Sequence, residues 1–101
     1  MHSKILLGKI LQRFADQKTA KGHSRSSFDY IRETQNAVFV TRLNGLDTEI
    51  PFDKIGMGID LYKSDPSLYH ESPTALRVAF THINSPVWAL LHLLEEDHYS
   101  K

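Results

Sequence analysis

The sequence predicts an α+β domain of element order α-β-β-β-α-α-α, in which a three-stranded antiparallel meander packs against helices. An Asn44-Gly45 pair between two strand-like runs favours a β-hairpin, and apolar residues recur at helical spacing on both sides of it. With 101 residues, of which 41% are hydrophobic and 24% charged, the chain is long enough for one core. We therefore expect a single compact domain over residues 1–101.

The first third predicts one helix, a loop and a strand. A helix is expected over residues 4–18, where apolar side chains recur every three or four positions, namely Leu7, Ile10, Leu11 and Phe14. Residues 19–26 are small and polar without periodicity, which predicts a mobile loop. Residues 28–33 predict a strand, and residues 34–36 a turn.

The hairpin predicts a register as well as two strands, over residues 37–43 and 46–50. Asn-Gly suits the two positive-φ positions of a two-residue type I′ turn. Such a turn pairs Leu43 with Leu46, Arg42 with Asp47, Thr41 with Thr48, Val40 with Glu49 and Phe39 with Ile50. The predicted core face is then Phe39, Leu43, Leu46 and Ile50.

A second helix is predicted from Pro51 to the Asp65-Pro66 pair. Pro suits the start of a helix and ends one that precedes it. One face carries apolar side chains at helical spacing, namely Phe52, Ile55, Ile59 and Tyr62. Gly56 and Gly58 lack side chains, which predicts that the helix lies close on the sheet.

Two Ser-Pro pairs, Ser72-Pro73 and Ser85-Pro86, match an N-cap followed by Pro at the first helical position. The second pair predicts a helix over residues 86–97. The first leaves two alternatives, because residues 74–82 fit both helical spacing and the alternation of a strand. We favour a helix, and a strand there gives the sheet a fourth member.

Composition excludes several classes of protein. The absence of cysteine rules out disulfides, thiolate metal sites and thiol catalysis. No apolar run reaches the length of a signal peptide or a membrane span, so we expect a cytoplasmic protein that does not bind membranes.

Histidines and carboxylates near the C-terminus suggest a metal site only weakly. His92 and Glu96, and Glu95 and His98, share helix faces, with His82 as a further ligand, but no established metal-binding spacing is present. No nucleophile motif is found either. The sequence predicts no catalytic residue, no cofactor and no metal, and favours a non-enzymatic protein. A hydrolase or small ligand-binding protein is the third alternative and needs a concave pocket.

A cluster of basic residues gives the second alternative, a small nucleic-acid-binding protein. Arg13, Lys18, Lys21 and Arg25 lie close together in the sequence, and cations in a loop contact phosphates. The formal net charge of zero argues against it.

The preferred function is protein binding, as an adaptor that also self-associates. The last predicted helix carries one apolar stripe, and Trp88 and Leu93 lie off that stripe. A helix that is apolar almost all round is either enclosed by a core or buries a second face on a partner. Two-fold homodimers are the commonest assembly, so Trp88 and Leu93 are the predicted interface residues.

Overall fold

The computed structural model describes residues 2–24, 26–42 and 45–100. The α+β class is confirmed, with a four-stranded antiparallel sheet in the order β1-β2-β3-β4. The strands and α-helices are α1 Ser3–Gln17, β1 Thr19–Lys21, β2 Ser27–Glu33, β3 Ala37–Thr41, β4 Asp47–Pro51, α2 Phe52–Ser64 and α3 Asn84–Leu91. Short 3-10 helices span Pro66–His70, Pro73–Val78 and Glu96–His98. No helix within the described ranges is long and apolar enough to cross a membrane.

The fourth strand is β1, in the segment predicted to be a mobile loop. That prediction is wrong: Ala20 pairs with Phe28 across an antiparallel ladder and is buried. Lys18 ends α1 in the left-handed conformation, with φ 67°, which lets the chain turn directly from the helix into the strand. Three residues are too few to show a strand's alternation.

Residues 74–82 do not form a strand. The chain there begins as the 3-10 helix Pro73–Val78, so the helical alternative holds for the first part of the segment, in the tighter geometry, and residues 79–82 are neither helix nor strand. The predicted third α-helix is therefore replaced by a 3-10 turn, and the element order differs from the prediction at this position and at β1.

The hairpin register differs from the prediction by one residue. Thr41 pairs with Asp47, Val40 with Thr48, Phe39 with Glu49 and Val38 with Ile50. The Arg42 N–H donates to the Leu46 carbonyl at 3.1 Å, whereas the predicted turn pairs Arg42 with Asp47. Gly45, with φ 80°, takes a left-handed conformation, as glycine commonly does in hairpin loops. Leu43 and Asn44 lie outside the described residues.

A one-residue slip moves each side chain of a strand to the other face of the sheet. Val38, Val40 and Ile50 are fully buried. Of the three described residues of the predicted core face, only Ile50 is correct, because Leu46 is 64% exposed and Phe39 lies on the outer face. There the Arg32 guanidinium covers the Phe39 ring at 4.0 Å, an arrangement favoured by the ring's negative face.

The predicted helices α1 and α2 are confirmed, and together with α3 they cover the inner face of the sheet. The fully buried side chains of the three helices include Leu6, Ile10, Phe14, Ile55, Ile59, Tyr62, Val87, Leu90 and Leu91. The role predicted for the glycines is wrong. A Cβ at Gly58 would lie 2.9 Å from Leu91 Cδ1, so this residue lets α2 approach α3 rather than the sheet, and Gly56 faces open space.

The last helix is shorter than predicted, since α3 ends at Leu91 and not near residue 97. Backbone and side chains share its last carbonyl groups. The Trp88 carbonyl accepts from the His92 N–H at 3.1 Å and contacts His92 Nδ1 at 2.8 Å. The Leu91 carbonyl accepts from the Tyr99 hydroxyl at 2.5 Å and from the Leu94 N–H at 3.4 Å. Carbonyl groups at a helix end need such partners. Helical periodicity does not reveal that α3 ends at Leu91, where the Tyr99 hydroxyl, eight positions later in the chain, bonds to the Leu91 carbonyl.

Candidate functional site

The structure brings the two predicted interaction surfaces together. Strand β1 lies beside α3, and a groove of about 290 Å³ separates them. This β1–α3 groove is lined by Gln17, Thr19, Lys21, Ala89, His92 and Leu93. Lys21 of the predicted nucleic-acid surface and Leu93 of the predicted protein interface therefore face the same space.

Contacts within the chain occupy part of the predicted basic surface. The Arg13 guanidinium donates to the Leu93 carbonyl at 2.7 Å and to the Glu95 carboxylate at 2.8 Å. The hydrogen bond from Arg13 lowers the pKa of Glu95 below its usual value. Lys18 Nζ lies 4.9 Å from the centre of the Tyr30 ring, and Lys21 is exposed. Arg25 lies outside the described residues.

Trp88 and Leu93 are both half-buried. The Trp88 indole N–H donates to the Glu71 carbonyl at 2.8 Å. Its ring stacks on His92 with the centroids 3.8 Å apart and meets His23 edge-on at 5.5 Å. Interactions within the chain thus already hold Trp88, and self-association through Trp88 and Leu93 stays a prediction.

His92 lies between two aromatic rings and two carbonyl groups. Its ring is 3.8 Å from that of Trp88 and 4.1 Å from that of Tyr69. Both ring nitrogens contact backbone carbonyl oxygens at 2.8 Å, those of Trp88 and Tyr69. His92 therefore joins α3 to the Pro66–His70 turn, and a backbone carbonyl oxygen already lies against each of its ring nitrogens.

Two of the other residues considered as metal ligands are also engaged elsewhere. Glu96 contacts His70 Nε2 at 2.9 Å, and Glu95 pairs with Arg13. Within the described ranges, no three His, Asp or Glu side chains come together in an arrangement that holds a metal ion.

Two buried tyrosines lie behind His92 and differ in hydrogen bonding. The Tyr99 hydroxyl donates to the Leu91 carbonyl. The Tyr62 hydroxyl is buried with no hydrogen-bond partner among the described residues. Burial raises the pKa of both phenols above the usual value, because a phenolate is poorly solvated in an apolar core.

These raised pKa values predict loss of stability in alkali. The unfolded pKa of tyrosine is about 10. A tyrosine whose pKa is higher in the folded state contributes its full stabilisation of the fold at any pH below the unfolded pKa. The stabilisation is lost as the pH rises from there through the folded pKa. We expect tyrosinate absorbance from Tyr62 and Tyr99 to appear together with loss of the circular dichroism signal. Ionisation of both residues in a chain that stays folded would contradict this.

A second groove was not predicted from the sequence. It has a volume of about 520 Å³ and lies beside the outer edge of β4. This β4 groove is lined by Glu49 and Pro51 of β4, Lys54 of α2 and residues 77–83. One wall is thus a strand edge, and the other is the end of a 3-10 helix with the irregular segment that follows it.

Apolar side chains dominate one part of the β4 groove. Val78 is 85% exposed at its rim, whereas Phe80 is only 6% exposed, and Pro51 and Ile83 are half-buried. Arg42 Nη1 donates to the His82 carbonyl at 3.1 Å, which ties the wall formed by residues 77–83 to the hairpin. Hydrogen bonding within the chain therefore holds one wall of the groove in place, and part of the groove surface is apolar and open to solvent.

His82 holds an unusual backbone conformation in that wall. Its φ is 60°, and the Ile83 N–H donates to the Thr81 carbonyl at 2.5 Å, which closes a γ-turn around His82. Such turns are rare, and a positive φ is uncommon for residues other than glycine. Strained backbone is retained mostly where surrounding structure enforces it, and it clusters at functional sites.

Comparison with protein-family models, with curated proteins and with solved structures gives no match. The functional argument therefore depends on the geometry of the two grooves. The β4 groove is larger and more apolar at its rim, and the β1–α3 groove has one exposed lysine.

Proposed function

We propose that this chain is a small protein-binding module that holds a partner polypeptide in the β4 groove. The observation that carries the proposal is Val78, a large apolar side chain 85% exposed at the rim of a groove with an apolar floor. A single exposed valine is unremarkable, but one that continues into a concave apolar surface is typical of an interaction site.

The apolar surface extends beyond the β4 groove. Ala79 lines it and also lines a smaller depression of about 240 Å³ with Met57 and Leu61 of α2. Met57 is 39% exposed, and the flexible thioether of methionine adapts to different partners. This continuity supports binding of a polypeptide, which covers more surface than a small molecule.

The polar groups of the β4 groove support binding rather than catalysis. Its acid–base groups are the side chains of Glu49 and His82, both exposed, and the half-buried Lys54. Among the described residues that line the groove, no side-chain hydrogen bond or ion pair joins such groups. A catalytic pair needs positioned partners within hydrogen-bond reach.

Self-association is part of the same proposal, with Trp88 and Leu93 on a separate surface. Sedimentation velocity at rising concentration tests it, and Leu93→Gln gives a folded monomer if this surface joins two copies. A wild type that stays monomeric contradicts self-association and leaves the proposal for the β4 groove unaffected.

Nucleic-acid binding stays the alternative, and a salt-sensitive mobility shift lost on neutralising Lys18 and Lys21 supports it.

Selection of short random peptides displayed on phage tests the main proposal. We expect peptides that bind the wild type and lose about tenfold or more in affinity with Val78→Asp, since a charge at the rim opposes burial of apolar side chains. The matched control is Ile5→Asp, which changes a side chain 53% exposed on α1 that does not line the groove. Equal affinity for both variants, or failure to select any peptide, overturns the proposal.

A further inference from the structure

We infer that the occupant of the β4 groove is an extended, acidic segment of a partner protein, which adds to β4 as a fifth strand and places a carboxylate between Lys54 and Arg77. This inference rests on the proposed function and specifies the partner's chemistry. It is carried by the edge geometry of β4, the position of the groove and the charges on its rim.

Strand β4 is at one edge of the sheet. The Arg42 N–H donates to the Leu46 carbonyl, and the Phe52 N–H donates to the Asn36 carbonyl. Hydrogen-bonded and non-hydrogen-bonded residue pairs alternate along an antiparallel ladder, so these two bonds identify the hydrogen-bonded pairs between them. In the register of β3 and β4, Val40–Thr48 and Val38–Ile50 are the bonded pairs. The N–H and C=O groups of Asp47 and Glu49 therefore face away from β3.

The β4 groove lies along this outward-facing edge. Glu49 and Pro51 form its β4 wall, and residues 77–83 stand opposite. An added strand obtains backbone hydrogen bonds from such an edge and specificity from side-chain pockets beside it. The exposed Val78 and the recessed Phe80 supply an apolar pocket at the required position.

Charges on the rim favour an acidic partner. The charged lining residues are Glu49, Lys54 and Arg77, so cations outnumber the carboxylate. Neither Lys54 nor Arg77 takes part in an ion pair or hydrogen bond among the described residues. A carboxylate of the bound segment gives both Lys54 and Arg77 an ion-pair partner. Opposite charges across an interface also accelerate association.

The same geometry argues against a second copy of this chain as the occupant. Antiparallel pairing of two β4 strands about a two-fold axis centred on Glu49 places its carboxylate opposite that of the other copy. Like charges directly opposite destabilise a sheet. The exposed Glu49 thus protects the edge from self-pairing.

Peptides selected on phage against the wild-type chain are the probe. We expect acidic residues to be enriched among them, and a selected peptide to slow hydrogen exchange of the Glu49 amide in NMR spectra of the full chain. Methylating alternate peptide nitrogens removes the ladder donors, so one of the two methylation patterns should abolish binding while the other leaves it nearly unchanged.

Charge reversal tests the carboxylate. Lys54→Glu and Arg77→Glu should each weaken binding of an acidic peptide about tenfold, with a smaller dependence on salt. Lys9→Glu is the matched control, because Lys9 is exposed on α1 outside the groove.

The outcomes separate this inference from the proposed function. Peptides that depend on Val78 but leave the Glu49 amide unprotected, or tolerate both charge reversals, overturn strand addition by an acidic segment and leave protein binding intact. Equal weakening by Lys9→Glu also overturns the carboxylate site. Failure to select any peptide overturns both proposals.

Discussion

Gly58→Val is expected to lower the free energy of unfolding by about 1–3 kcal/mol, the usual cost of overpacking a core. A Cβ at this position lies 2.9 Å from Leu91 Cδ1 and 3.3 Å from Val87 Cγ1. The two additional methyl groups of valine therefore force α2 and α3 apart. Chemical denaturation followed by circular dichroism measures the effect.

Gly56→Ala is the matched control, two residues away on the same helix. No neighbouring atom lies within 4 Å of a Cβ there, so the helix gains the higher propensity of alanine, up to about 1 kcal/mol. The two substitutions should change stability in opposite directions. Equal effects would contradict the close approach of α2 and α3 at Gly58.

Tyr62→Phe is expected to raise the free energy of unfolding by about 1 kcal/mol or more. The Tyr62 hydroxyl is buried without a hydrogen-bond partner among the described residues, and burial of an unsatisfied polar group costs about 1–3 kcal/mol. Removing the hydroxyl removes that cost and keeps the ring, which meets the Tyr99 ring edge-on with centroids 5.2 Å apart.

Tyr99→Phe makes the same chemical change with the opposite expected sign. It removes the hydrogen bond to the Leu91 carbonyl, which then keeps only the longer bond from the Leu94 N–H at 3.4 Å, at a cost of about 1 kcal/mol. Denaturant midpoints of the two variants at neutral pH provide the comparison. A Tyr62→Phe protein less stable than the wild type would mean that its hydroxyl has a partner.

The helices were predictable because their signals are local. Ile10 and Phe14 of α1, and Ile55 and Ile59 of α2, recur at helical spacing and are fully buried. Prolines at residues 51 and 66 marked the ends of α2. Such patterns need no knowledge of the rest of the fold.

Strand β1 and the hairpin register depend on interactions that the local sequence does not show. Ala20 becomes part of a strand because β2 and α3 lie beside it, and tertiary contacts override weak propensity. Asn-Gly fits a two-residue loop as well as a longer loop with glycine in the left-handed position. One residue of difference then reversed the faces of Val38 and Phe39.

The β4 groove could not be predicted because it is assembled from distant segments. Val78 and Phe80 appear in the sequence as part of an ambiguous apolar run, and nothing local indicates that one is exposed and the other buried. Its second wall is the edge of β4, whose outward-facing backbone groups follow only from the observed register. The charged residues Lys54 and Arg77 belong to different elements and line one groove only in the fold.

Hydrogen–deuterium exchange of the full chain with and without a selected peptide tests the central claim most directly. If the β4 groove holds the partner, protection appears over residues 47–54 and 77–83, because the bound segment covers both walls. Protection confined to residues 17–21 and 88–93, on the β1–α3 groove, would contradict the account.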